Sequence, residues 1–233
     1  MPGLRVADLP EPVDPGPCEW ALPSLDDADG HELISVGADL EPSTLLAAYR
    51  LGLFPMPFQR RHVGWWSPDP RGVLPLDGLR ISRSLRKSIP RFEASLNADF
   101  ERVMRGCAHR RRPNGWINEA MVRAYVRLHR MGWAHSIETW RDGALVGGLY
   151  GVRIGRFFAG ESMFSTENDA SKVALVHLVD WLRSTGVVLL DVQWQTQHLA
   201  TLGVIEVPRT QYLGMLADAV ADSGASTATP SAT

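Results

Sequence analysis

Cysteine is nearly absent. Among 233 residues there are only Cys18 and Cys107, with no Cys-x-x-Cys pair, which argues against a disulfide framework or a structural zinc site. Both are expected to be inert packing residues. No apolar run approaches the roughly 18 residues a membrane helix requires. The opening "MPGLRVADLPEPVDPGP" lacks the basic-then-apolar pattern of a secretory leader, so a cytoplasmic protein without membrane attachment is expected. A P-loop and a dinucleotide fingerprint are also missing, and there is no internal repeat. Neither a metal nor another cofactor is expected.

The chain does have 45% hydrophobic residues, enough for a sizeable core in one large or two modest domains. Its formal charge of −2 conceals an asymmetry. Between Arg80 and Arg112 lie ten basic residues against Glu93, Asp99 and Glu101, a local +7 that leaves −9 for the remainder. Arg83, Arg86 and Lys87 stand early in this block, and Arg110, Arg111 and Arg112 close it. Such a block is either a solvated face or a phosphate-binding footprint. Trp65, Trp66 and Trp116 flank it. Aromatic faces beside arginines hold single-stranded nucleic acid, so the company favours RNA, with core packing the alternative for each Trp.

Residues 1–32 are rich in Pro and Asp and read as an irregular lead-in, followed by a strand at Leu33 to Val36. "EPSTLLAAYRLG" predicts a short helix, with Pro42 in its first turn and Gly52 as its stop. The next stretch, "LFPMPFQRRHVGWWSPDPRGVLP", is dense in Pro, Gly and aromatics and reads as a structured loop region. Beyond it the pattern predicts a helix near Ser82 to Lys87, a strand around Phe92 to Asn97 and a helix near Asp99 to Ala108. A loop at "HRRRPNG" leads to a helix capped by Asn118 and ended by Gly132. "AHSIETW", "ALVGGLYGVRIG" and "RFFAGESMF" form a three-stranded meander. Asn168 or Asp169 caps the buried helix "ASKVALVHLVDWLRSTG", "VVLLDVQ" is a sheet-interior strand, and the C-terminal "DSGASTATPSAT" has the composition of a disordered tail. By analogy, this order predicts an α+β protein with a GNAT-like acyltransferase core.

A carboxylate inside the strand "FFAGESMFS" needs a reason. Gly160-Glu161-Ser162-Met163 matches four positions of a Gly-x-Ser-x-Gly nucleophile elbow, but the fifth is Phe164, so Ser162 is not expected to be a nucleophile. Strand alternation places Glu161 with Met163 on one face, and Asp191 with Gln193 on one face of "LLDVQ". Two polar side chains at the end of a buried strand mark the place where crevices form in α/β sheets, although Asp191 could equally be a strand-end ion-pair partner. His129 and His135 have no ligand spacing around them, and His198 reads as either structural or an orienting neighbour of Gln193. No Arg/Gln-x-x-Gly-x-Gly/Ala turn follows "GESMF", where a coenzyme A-dependent acetyltransferase of this fold would need one.

The segments "LLAAYRLGLFP", "WWSPDPRGVLP", "ISRS", "GWIN", "AHSIETWRDGALVGGLYGV", "GESMFS", "LLDVQ" and "HLATLG" closely resemble those of the leucyl/phenylalanyl-tRNA–protein transferases, from about Leu33 to Tyr212. The resemblance implies transfer of Leu or Phe, with Met tolerated, from aminoacyl-tRNA to proteins with N-terminal Arg or Lys, creating a destabilising N-terminus, and a small N-terminal α/β domain over 1–80 ahead of a GNAT-like acyltransferase domain over 81–222 and a tail at 223–233; a monomer is expected. It implies that Asp191 and Gln193 are the catalytic pair, that Glu161 is the acidic contact for the acceptor, and that Leu149, Met163 and Leu190 line the aminoacyl side-chain pocket. Trp116, Met56 and Tyr49 fall at the positions for the tRNA 3′ end. Met56 departs from the family, which often has Trp after Phe-Pro. A thioether contacts a ring edge but offers no broad stacking face. Arg83, Arg86, Lys87 and Arg110 to Arg112 are then candidates for tRNA phosphates.

The implied chemistry is economical, because an aminoacyl ester is already activated and needs no ATP, metal or coenzyme. A free α-amino group, with a pKa of about 7.7 to 8.0, is partly neutral at pH 7. A glutamine amide is too weakly basic to hold a proton, so Gln193 is expected to accept a hydrogen bond from the attacking amine while Asp191 orients its NH₂. Acetyl transfer and non-catalytic RNA binding are the competing classes.

Overall fold

These sequence patterns become, in the computed structural model, helices stacked on both faces of a mixed sheet. The residues described are 3–7, 9–25, 28, 30–59, 62–108 and 116–221. The first half of the chain carries β1 (Arg5–Val6), β2 (Leu33–Val36), α1 (Pro42–Arg50), β3 (Phe54–Phe58), β4 (His62–Trp66), β5 (Arg71–Val73), α2 (Arg83–Ser88), β6 (Glu93–Leu96) and α3 (Phe100–Cys107). The second half carries α4 (Glu119–Arg130), β7 (Ala134–Arg141), β8 (Ala144–Ile154), β9 (Phe157–Ser165), α5 (Ala170–Ser184), β10 (Leu189–Gln193), α6 (Gln197–Thr201), β11 (Ile205–Val207) and α7 (Arg209–Ala221). The "HRRRPNG" stretch, with Arg110, Arg111 and Arg112, lies outside the described residues, as does the 223–233 tail.

Short polar side chains start the helices where expected. Ser82, Asp99 and Asn118 each accept a hydrogen bond from a backbone N–H three residues on, satisfying one of the free donors of the first turn. Asp169 occupies the same position before α5 but does not cap it. Its residue sits at φ +68°, and its carboxylate instead accepts from Ser88 Oγ and Lys172 Nζ, both at 2.8 Å.

The stretch expected to be a loop region is in fact three strands. β3 lies at the edge of a small sheet of order β2-β4-β3, and Pro55 and Pro57 are tolerated there because an edge strand has one unpaired side. β5 leaves that sheet and joins the large one. The large sheet runs β1-β6-β7-β8-β9-β10-β5-β11, with parallel pairing at β1/β6 and β9/β10 and antiparallel pairing elsewhere. Helices α3, α4 and α7 pack one face, joined by α1, while α5 covers the other. This explains why α5 is apolar nearly all round: it lies between the sheet and α2.

Two irregularities position everything that follows. β9 and β10 pair only from Leu189↔Phe157 to Asp191↔Ala159, after which β9 runs on to Ser165. Against β8, the register steps from Tyr150↔Ser162 to Gly151↔Gly160, which leaves Glu161 as the extra residue of a bulge. Gly151 permits this approach, since a Cβ there would lie 2.2 Å from the Ala159 carbonyl oxygen and 2.4 Å from the Phe158 ring. Gly151→Ala should therefore lower stability by about 3 kcal/mol, at the upper end of overpacking costs. The urea unfolding midpoint measures this, and an unchanged midpoint would show that the bulge accommodates a methyl group.

Candidate functional site

Where β9 and β10 part, a cavity of about 350 Å³ opens between them. β8 contributes Leu149 and Tyr150, β9 contributes Gly160 to Met163, and β10 contributes Leu190, Val192 and Gln193. Leu175 and Leu178 of α5 form the apolar floor, and Thr196, His198 and Leu199 form a wall at α6. The structure thus gathers Leu149, Met163, Leu190, Glu161 and Gln193 around one space. Asp191 and Tyr49 are not in its lining.

The expected strand alternation fails at both polar pairs. Leu190 and Val192 face the cavity, whereas Asp191 points through the opposite face into a cluster with Arg71 and Tyr212. Gln193 reaches the cavity side only because the register with β5 shifts between Asp191 and Gln193, and Gln193 takes φ +62°. A left-handed conformation costs a residue with a Cβ about 1 to 2 kcal/mol. Glu161 and Met163 are likewise separated by the bulge. Glu161 bonds toward α1 and α4, while Met163 packs in the cluster beneath α5.

Asp191 is fully buried and does not orient the Gln193 amide as the sequence suggested. Its Oδ1 accepts from Arg71 Nε at 2.9 Å and from the Gln193 backbone N–H at 2.9 Å. Its Oδ2 accepts from Arg71 Nη2 at 2.7 Å and Tyr212 Oη at 3.0 Å. Arg71 Nη1 donates to the Gly52 carbonyl at 3.0 Å, and the guanidinium lies over the rings of Tyr212 and Phe54, 4.4 and 5.0 Å from their centroids. Burial opposes the Arg71 charge, but the Asp191 carboxylate outweighs it and raises the pKa further. Arg71 and Tyr212 escaped the sequence reading. Arg71 sits in a Pro- and Gly-rich segment taken for loop, and its only local signal is a lone cation beside the apolar Gly-Val-Leu of a strand.

Glu161 Oε2 accepts from Tyr125 Oη at 3.2 Å, and the Tyr125 hydroxyl is also hydrogen-bonded to that of Tyr49. Tyr49 is only 1% exposed, so it offers no face to a nucleic acid base and acts on the site through Glu161 and Tyr125. Burial pushes the Glu161 carboxyl up to about 7, with Tyr49, Tyr125 and Arg71 pulling it down and Asp191 pushing it up. Among the described residues, Glu161 Oε1 and Gln193 Nε2 are buried without hydrogen-bond partners. Both residues line the cavity, so Glu161 Oε1 and Gln193 Nε2 are buried polar atoms without a protein partner at its wall.

The remaining candidates lie elsewhere. Met56 lines a separate cavity of about 180 Å³ with His62, Asn118 and Met121, and half-buried Trp116 packs on the same core two residues before Asn118. Trp65 is a core residue, donating to the Gly37 carbonyl at 2.9 Å. Arg83, Arg86 and Lys87 stand exposed on α2. His129 stacks on Phe100 and His135 bonds Asn97, each satisfied within the fold, while His198 is exposed at the cavity rim.

The Glu161 shift has a sign that stability can read. A carboxyl whose folded pKa lies above its ordinary value of 4.5 binds more protons folded than unfolded, so it costs stability as pH rises from about 4.5 to 7. Glu161→Gln should gain on the wild type across that window and hold a constant advantage above it. Urea midpoints for both proteins across the window measure this, and a pH-independent difference would contradict the shift.

Two family models match the chain. The one described as Leucyl/phenylalanyl-tRNA protein transferase covers residues 73–217, and that of the N-terminal domain covers 38–69. A curated protein of Anaeromyxobacter sp. (strain K), named leucyl/phenylalanyl-tRNA–protein transferase, is 51% identical over 203 residues, spanning 85% of this chain and 86% of that one. A protein of the same name from Aromatoleum aromaticum is 50% identical over 199 residues, spanning 84% of this chain and 83% of that one. Among solved structures, L-PGS from Bacillus licheniformis overlaps with a TM-score of 0.37 and 13% identity over 71% of this chain and 57% of that one, too slight a likeness to define a common fold.

Proposed function

The chain belongs to the leucyl/phenylalanyl-tRNA–protein transferase family, and from that membership we infer that it moves Leu or Phe from aminoacyl-tRNA to the α-amino group of proteins beginning with Arg or Lys. The observation that supports this best is a largely apolar cavity at whose wall Glu161 Oε1 and Gln193 Nε2 lie buried without protein partners. At about 350 Å³ it is near the small end of the roughly 300 to 1,000 Å³ range of ligand sites, a size suited to one aminoacyl side chain. An apolar wall separates side chains poorly by a methylene, only about 1 to 3 kcal/mol, in keeping with two accepted amino acids.

In the reaction the acceptor nitrogen attacks the ester carbonyl carbon. A C–N bond forms, the C–O bond to the terminal ribose breaks, and the proton shed by nitrogen ends on the ribose oxygen. Positioning is the main demand. The Gln193 amide carries both an acceptor and a donor: its oxygen takes a hydrogen bond from the attacking amine, and Nε2 meets the carbonyl oxygen as charge develops there. Glu161 faces the basic N-terminal residue of the acceptor. An arriving cation favours the charged carboxylate, so binding draws off the proton that burial holds there.

The tRNA 3′ end is proposed to lie against Trp116 and Met56, with phosphates on Arg83, Arg86 and Lys87. The finer reading of the fold as GNAT-like belongs to the same proposal. It is supported by a long helix joining two parallel strands that part over the cavity.

With leucyl-tRNA and an Arg-initiated peptide, mass spectrometry should find the peptide heavier by one leucine residue. Gln193→Ala should slow single-turnover transfer about 100-fold, the low end for a lost proton-steering group, with tRNA binding intact. Glu161→Gln should erase the preference for Arg-initiated over uncharged peptides. An unmodified peptide, or variants that match the wild type on both counts, would overturn the reading.

A further inference from the structure

Gln193 enters the cavity through a backbone conformation that its own side chain does not favour, so something else must hold it. Three contacts do so. The Gln193 N–H donates to Asp191 Oδ1 at 2.9 Å. β5 presses against the following chain at Gly72, where a Cβ would lie 2.9 Å from both Trp194 C and Gln195 N. The Asp191 carboxylate is in turn fixed from its far side by the Arg71 fork and the Tyr212 hydroxyl. Arg71 is itself anchored to the Gly52 carbonyl and lies over the rings of Phe54 and Tyr212.

We propose that Arg71 and Tyr212 are positioning residues for the transfer reaction: by filling the Asp191 carboxylate from the face away from the cavity, they keep Oδ1 on the Gln193 N–H and so keep the Gln193 amide in the cavity. The inference rests on the reading above that Gln193 meets the reacting groups. Arg71 and Tyr212 touch no substrate, since Asp191 and the sheet stand between them and the cavity. A rotating carboxylate would serve Gln193 only part of the time. Two donors from Arg71 and one from Tyr212 leave it a single orientation, with its remaining lone-pair direction aimed along β10. The planar fork is what makes this possible, because a lysine in the same place supplies charge without two parallel donors.

A double-mutant experiment on the full chain tests this. Tyr212→Phe and Arg71→Lys are each made in the wild type and in Gln193→Ala, and single-turnover transfer from leucyl-tRNA to an Arg-initiated peptide is timed, with tRNA affinity from filter binding and folding from circular dichroism. Tyr212→Phe keeps the ring and removes one donor, so it should fold and slow transfer about tenfold, the scale of one hydrogen bond to a charged acceptor. Arg71→Lys, where it folds, should slow it more. Neither should change tRNA affinity, and neither should slow transfer further once Gln193 is Ala. Equal slowing by Tyr212→Phe in both backgrounds, or no slowing in the wild type, would overturn the positioning role while leaving Gln193 in its place. A Gln193→Ala protein as fast as the wild type would overturn the reading of the cavity itself, and the inference with it.

Discussion

The buried ion pair between Arg71 and Asp191 is the constraint on which the rest of the architecture depends. It ties β5, the first strand after the small sheet, to its neighbour β10 toward one end of the large sheet, and it recruits Gly52 after α1 and Tyr212 on α7. Taking two charges out of water costs several kcal/mol per ion, and breaking such a pair by removing one partner typically costs about 3 to 5 kcal/mol. The pair persists because the Asp191 carboxylate has four donors and the guanidinium has acceptors in Asp191 and the Gly52 carbonyl and lies over the rings of Phe54 and Tyr212. An apolar pair of the same volume would pack β5 against β10 without dictating a direction to anything beyond them.

Among the described residues, the buried Glu138 and Asp191 and the half-buried Glu161 answer the same problem in different ways. Glu138, with no exposed surface, is surrounded by neutral donors: the hydroxyls of Ser95 and Ser136 and the Ala98 N–H just before α3. Asp191 is neutralised outright by a cation. Glu161 alone keeps one oxygen unpaired beside a cavity, supported from behind by two tyrosines whose burial keeps them protonated. The contrast separates a carboxylate that holds the fold from one still able to bind something, and no count of hydrogen bonds taken from sequence would reveal it.

Much of this was legible in the sequence where a local cause was at work. Ser82, Asp99 and Asn118 announce helix starts because capping is decided within four residues, whereas the Leu149, Met163 and Leu190 set, which lies around one cavity, came from the family resemblance and not from a local pattern. What local pattern could not reveal was the breaking of its own period. Alternation put Glu161 with Met163 and Asp191 with Gln193, yet a bulge opposite Gly151 and a register shift opposite Gly72 undo both pairings. The signals lie in glycines on neighbouring strands, ten or more residues away from the side chains they redirect. The Pro-rich segment misled for a related reason: an edge strand forgives prolines that a central one would not, and edge position is a property of the sheet.

Position 193 shows what this costs. A glycine there would relax into the left-handed backbone at no steric expense. Selection for stability alone would therefore drift toward a firmer protein with an empty-handed strand end, the usual trade between a comfortable scaffold and a working one. On the role proposed for its amide, a glutamine held at φ +62° sits on the working side of that trade.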